Sequence, residues 1–118
     1  MKDILEDLLG LWRAGRFAEA GEKYWAADVV SIEAAVPGGN PVSRGFSAVR
    51  EKGRWWADNH EVHSVKTTRP FLNGSQFIVG FEMDLTQKAS GQRITVIEQA
   101  LYAIRDGKIV EERFFHPS

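Results

Sequence analysis

The sequence predicts an α+β domain, with helices first and then a curved, mostly antiparallel sheet that holds them on one face. Three observations carry this. Apolar residues near the N-terminus recur at three- and four-residue steps. The C-terminal half divides into strand-like runs separated by Asn73-Gly74, Ala89-Ser90-Gly91 and Arg105-Asp106-Gly107, and the last of these is a strong hairpin signal. Residues 75–87 alternate between apolar and polar side chains. At 118 residues the chain suits one compact domain, 1–118, and is too short for two.

The elements follow in order. Ile4, Leu5, Leu8, Leu9 and Trp12 make an amphipathic helix over 3–14, which Gly15 stops. A shorter helix over 17–25 presents Phe17, Ala20, Gly21 and Tyr24 on one face, forming a lid-like helical hairpin with the first. Residues 29–35, Val-Val-Ser-Ile-Glu-Ala-Ala, read as a strand. Residues 37–41, Pro-Gly-Gly-Asn-Pro, read as a loop. A third helix over 47–58 places Val49, Gly53 and Trp56 on one stripe. Strands are expected over 61–72, 75–87, 92–104 and 108–116. The order of elements places the helices against one side of the sheet.

Alternation assigns the faces. Phe77, Val79, Phe81, Met83 and Leu85 form the inner face of one strand, with Glu82 and Asp84 pointing outward to surface or interface salt links. The next strand puts Ile94, Val96, Glu98, Ala100, Tyr102 and Ile104 on one side. Its other side carries Thr95, Ile97, Gln99, Leu101 and Ala103. A sheet apolar on both faces covers something on both, so a homodimer through the outer face is expected, with Ile97, Leu101, Ile109 and Phe115 on it.

The final hairpin has two possible registers. A two-residue turn at Asp106-Gly107 pairs Arg105 with Lys108. A three-residue turn pairs Ile104 with Lys108 and directs Val110, Glu112, Phe114 and His116 to the face of Glu98 and Tyr102, with Ala100 opposite Glu112. A two-residue turn alone would take Glu112 off that face. Local pattern leaves the choice open.

Composition excludes several classes. A net charge of -1 gives no footprint for nucleic acid or an anionic membrane. The absence of cysteine removes disulfides, thiolate catalysis and thiolate metal sites. No apolar run reaches the ~20 residues of a spanning helix. Acids at Asp3, Glu6 and Asp7 interrupt any secretory core, so a cytoplasmic setting is expected. His60-Glu61-Val62-His63 resembles a metal motif, but a strand would put its histidines on opposite faces, and no metal is assigned to it. No cofactor is expected.

Glu33, Glu98 and Glu112 are the candidate catalytic residues. Carboxylates facing one apolar cavity raise each other's pKa through burial and repulsion, and a protonated acid beside an ionised base supports proton transfer. Structural pairing with Arg93 or Arg113 is the competing explanation. Trp25, Val49, Trp56, Phe81, Met83, Tyr102, Phe114 and His116 are the candidate substrate-binding residues. Core packing explains the aromatic members of that set almost as well, and a histidine so near the C-terminus is more often a surface or interface residue.

Four stretches resemble a known family. They are Tyr24-Trp25-Ala26-Ala27-Asp28-Val29-Val30, Gly45-Phe46-Ser47-Ala48-Val49, Phe77-Ile78-Val79-Gly80-Phe81-Glu82-Met83 and Asp106-Gly107-Lys108-Ile109-Val110-Glu111-Glu112-Arg113. Together they are similar to the nuclear-transport-factor-2-like superfamily, in its small bacterial SnoaL-like branch, over essentially the whole chain. The resemblance implies a cone-shaped, cystatin-like barrel around about three helices, with a deep apolar pocket for a hydrophobic small molecule. It also implies the three-residue register. Set beside ketosteroid-isomerase-like relatives, Glu33 falls where a carboxylate base sits, while the tyrosine and acid of their oxyanion hole are replaced by Leu8 and Ala100. The function implied is a cofactor-independent isomerase, lyase or cyclase, with Glu33 as base and Glu98 or Glu112 as acid. The alternative is a non-catalytic binding or dimerisation module.

Overall fold

A computed structural model describes residues 1–34 and 38–117. In chain order the elements are α1 (Lys2–Arg13), α2 (Phe17–Tyr24), β1 (Trp25–Ile32), β2 (Val42–Arg44), α3 (Phe46–Asn59), β3 (His60–Thr67), β4 (Phe71–Asn73), β5 (Gln76–Gln87), β6 (Gln92–Arg105) and β7 (Lys108–Phe115). One sheet runs β2-β1-β7-β6-β5-β3, with β4 also paired to β5. The only parallel pair among them joins β1 to β7. Among the described residues no helix is long and apolar enough to cross a membrane.

Both N-terminal helices form where the periodicity predicts. Leu5, Leu8, Leu9, Leu11 and Trp12 bury one side of α1. Gly15 follows in the left-handed region at φ 74°, and its N–H closes onto the Trp12 carbonyl, the conformation that glycine adopts without a Cβ penalty. Asp7 ties the two helices together by accepting from Lys23 Nζ and Tyr24 Oη. The chain then enters β1 directly at Trp25, four residues before the expected start. Ala35 and Pro37, assigned to the first strand and the loop after it, lie outside the described residues.

Two strand assignments change. The run expected over 61–72 is two strands, because Pro70 has no N–H to give to a ladder. After β3 the Thr68 N–H bonds to the Gly80 carbonyl before β4 begins. Val42–Arg44, which carries no strand signal of its own, adds an edge strand to β1.

The inner face is as expected for β5, where Phe77, Val79, Phe81, Met83 and Leu85 are all buried. The β6–β7 hairpin differs in both register and reason. The turn is the two-residue one: Arg105 pairs with Lys108, and Asp106 and Gly107 both have positive φ, at 52° and 75°. That is the geometry of a type I′ turn. A bulge then intervenes, since Ile104 pairs with Ile109 but Ala103 with Glu111. Val110 is the extra residue, and it restores the face that the tight turn would have lost. Glu112 therefore points inward opposite Tyr102, and Phe114 rather than Glu112 lies opposite Ala100. The bulge also corrects the place of Ile109. It is 2% exposed in the core, because the residue before the bulge and Glu112 beyond it both face inward.

The turn gives a stability test. Gly107→Val places a β-branched side chain at φ 75° and is expected to cost about 1–2 kcal/mol, read as a lower urea midpoint with an unchanged m-value.

Candidate functional site

The concave face of β5, β6 and β7 and the three helices line a partly open cavity of about 1090 Å³. Leu8 and Trp12 of α1, Trp56 of α3, Phe81 and Met83 of β5 and Phe114 of β7 give it apolar walls. Trp12 stacks on Tyr102 at 4.9 Å between ring centres and meets Phe81 edge-on at 5.3 Å. The acids collect at one end.

Glu112 is the innermost of them, with 7% exposure. Trp25 Nε1 donates to its Oε1 at 2.7 Å, and Ser31 Oγ donates to its Oε2 at 2.8 Å. Ser31 in turn accepts from Lys52 Nζ on α3, and the same ammonium lies 2.7 Å from Glu33 Oε1. Glu33 follows the last residue of β1, where its N–H bonds to the Pro41 carbonyl. Beyond it, His116 bridges two acids, with Nε2 3.8 Å from Glu33 Oε2 and Nδ1 3.7 Å from Glu98 Oε2. A continuous polar chain thus runs from the Trp25 indole to Glu98.

Burial sets the protonation behaviour. It pushes the Glu98 carboxyl up to about 7; the charge of His116 opposes this rise and that of Glu33 adds to it. Burial also raises Glu112, but the Trp25 hydrogen bond, the Lys52 charge and the Ser31 hydrogen bond act against it. Tyr102 is held well above its ordinary range by burial and by the fields of Glu112, Glu98 and Glu33, so its hydroxyl stays protonated.

The structure brings Glu33, Glu98, Glu112, Trp25, Trp56, Phe81, Met83, Tyr102, Phe114 and His116 to the cavity wall. Val49 is not there. It is 1% exposed because surrounding core side chains enclose it, leaving no surface for a ligand. The arginines considered as partners for the acids are elsewhere: Arg93 makes a two-pronged contact with Asp84, and Arg113 faces Glu111 at 3.6 Å. Alternation carries both to the outer face, and the cation that enters is Lys52. The histidines near β3 serve separate contacts, His60 Nδ1 with the Trp56 carbonyl and His63 Nε2 with Thr86 Oγ1. Among the described residues no group of three metal-ligating side chains is placed to hold a metal ion.

Lys52 and Ser31 were missed from sequence, although both carried a signal. Lys52 borders the stripe of Val49, Gly53 and Trp56, where a solvated lysine is out of place. Ser31 shares strand parity with Val29 and Glu33, so an inward Glu33 implies an inward Ser31.

Comparison with known proteins agrees with this architecture. Residues 1–116 match the SnoaL-like domain family, and the chain belongs to that family. It is similar to a Mesorhizobium loti protein proposed to be a SnoaL-like polyketide cyclase and also labelled a carbohydrate phosphatase. The two share 44% identity over 98% of this chain and 97% of that one, with a TM-score of 0.89. A SnoaL-like protein of Jannaschia sp. CCS1, also proposed to be a polyketide cyclase, shares the fold at 19% identity over 97% and 85% of the two chains, TM-score 0.78. A Catenulispora acidiphila protein with a ketosteroid-isomerase-like fold, solved with trimethylamine, does so at 18% identity over 96% and 84%, TM-score 0.75. No curated protein matches the chain.

Gly21 reveals how the site is held. A Cβ there would lie 2.4 Å from the Trp25 ring, so the indole reaches Glu112 only because α2 offers a bare backbone. Gly21→Ala is expected to displace Trp25 at a cost of about 1–3 kcal/mol. A lower Tm and a shifted tryptophan emission should appear together.

Proposed function

We propose that the chain is a cofactor-independent isomerase, lyase or cyclase acting on a small hydrophobic molecule, with Glu98 as the group that moves the proton. The observation that carries this is the state of Glu98. Its carboxyl faces an apolar cavity, its pKa is raised to about 7, and the His116 ring lies 3.7 Å away. A carboxyl poised near neutrality can take a proton from a carbon acid and return it elsewhere without large cost in either direction. Glu33, reached through His116 and fixed by Lys52, is the second basic site. Glu112 has both oxygens occupied, so its role is to position β1, β7 and α3 around the reacting groups. The trimethylamine held by the Catenulispora acidiphila fold neighbour and the cyclase name of the Mesorhizobium loti relative support a small-molecule site.

A non-catalytic binding protein remains the second reading, supported by the internal partners of Glu33 and Glu112. The two readings part at Glu98. As a base, Glu98 makes kcat/KM rise with pH through about 7, and Glu98→Gln should lower turnover by about 100-fold or more. A panel of enolisable ketones, followed by proton–deuterium exchange, supplies the assay. Exchange that Glu98→Gln leaves intact would refute the assignment.

Stability gives an independent check. A carboxyl whose folded pKa lies above its unfolded value binds more protons when folded, so stability falls as pH rises from about 4.5 to about 7. Glu98→Gln should flatten that dependence and raise Tm at alkaline pH, without any substrate.

The same reading includes a homodimer through the outer sheet face. Ile78, Ile97 and Phe115 are exposed there, with Leu101 between Ile78 and Arg113 in the ladder. Ile97→Lys should yield a folded monomer by light scattering; an unchanged mass would remove this face from the assembly.

A further inference from the structure

We propose that the cavity takes a ligand with a protonated amine at one end of an aromatic body, the ammonium lying at Glu98 and within reach of Tyr102. This rests on the proposed function only in taking the same cavity as the ligand site. Two side chains call for such a ligand. Glu98, 14% exposed, accepts no hydrogen bond among the described residues. Tyr102 is 4% exposed, and its hydroxyl likewise has no partner among them. Among the described residues no enclosed side-chain nitrogen or oxygen is left unpaired, so these oxygens keep some accessible surface. Both await a group from outside the chain.

The surrounding charge selects the kind of group. The charged groups that act on Glu98 are His116, Glu33, Lys52 and Glu112. Arg16, Glu19, Glu22, Arg50 and Arg54 of the helical side also line the cavity, with Arg16 facing Glu19 and Arg50 facing Glu22. Lys52 is committed to Glu33 and Glu112 has its own donors in Trp25 and Ser31, which leaves Glu98 opposed mainly by His116. A ligand carboxylate would meet repulsion. A neutral ketone could bond Glu98 only when Glu98 is protonated, as an acceptor. An ammonium supplies both the donors and the sign, and can give a further N–H to the Tyr102 oxygen. The walls suit it as well, since aromatic faces attract cations. Phe114 already carries one, the Lys52 ammonium 5.1 Å from its ring centre.

The test uses three probes of one shape, naphthylmethylamine, naphthylmethanol and naphthoic acid, titrated calorimetrically into the full chain near neutral pH. The amine is expected to bind about tenfold tighter than the alcohol, a difference of about 1.4 kcal/mol, and the acid to bind more weakly than either. Glu98→Gln should bring the amine to the affinity of the alcohol while the alcohol changes little. Tyr102→Phe should weaken the amine more than the alcohol, and matching circular dichroism spectra show that both variants fold. An alcohol that binds as well as the amine, an amine preference that survives Glu98→Gln, or no binding by any probe would each overturn the proposal. Glu98-dependent exchange without amine preference would leave the catalytic reading standing and this one fallen. Amine binding that depends on Glu98, without exchange, would do the reverse.

Discussion

The structure depends on one buried carboxylate being fully bonded. Glu112 sits in the interior of a small protein, where an isolated ionised acid would neutralise or unfold its surroundings. It is tolerated because Trp25 and Ser31 each donate to one oxygen. Removing one partner of such a buried charge typically costs ~3–5 kcal/mol, mostly the penalty on the group left behind. The two donors come from opposite ends of β1, and Lys52 of α3 backs Ser31. One carboxylate therefore fixes β7 to β1 and both to α3. The parallel β1–β7 pairing, the least local contact in the sheet, is held where this network is densest.

Glu98 shows what the same residue type becomes without that support. It lies on β6 beside β7, on the same concave face, yet no indole or hydroxyl reaches it. Among the described residues its salt-bridge partner is the half-exposed His116, at 3.7 Å. Hydrogen bonding to the charged form favours ionisation, and burial without it opposes ionisation. Both effects act on Glu112, whereas on Glu98 burial acts largely unopposed. The pocket thus contains one acid held by two donors and one whose oxygens are left to the cavity, and the two differ in those donors.

Much of this was readable before any coordinates. Periodicity places α1, and alternation sorts the faces of β5 and β6, since both depend on residues a few positions apart. The family resemblance carries the fold over the remainder. What sequence does not show is long-range geometry. The edge strand β2 exists only because β1 lies beside it, and the division of β3 from β4 depends on Pro70. The Lys52–Glu33 pair joins a helix to the end of a distant strand. Pairing with Arg93 or Arg113 was the competing explanation for the acids, but strand parity sends both arginines outward. Position, not chemistry, decided which cation enters.

The hairpin holds the clearest lesson about inference from local rules. Asp106-Gly107 makes the tight turn that its residues prefer, and strict alternation from that turn would have expelled Glu112. The three-residue register kept Glu112 inside with the wrong turn and the wrong partner. The molecule reconciles the two by one extra residue, Val110. A turn is chosen by two residues' backbone preferences, whereas a face is chosen by the free energy of everything that side of the strand buries. For β7 that includes Ile109, Glu112 and Phe114, together with the indole and hydroxyl waiting for the carboxylate. An unpaired residue in one ladder is a small local cost against exposing that set, so the bulge is where the two constraints meet. Face was therefore the sounder prediction than register, because burial sums over a strand while register can shift at one residue.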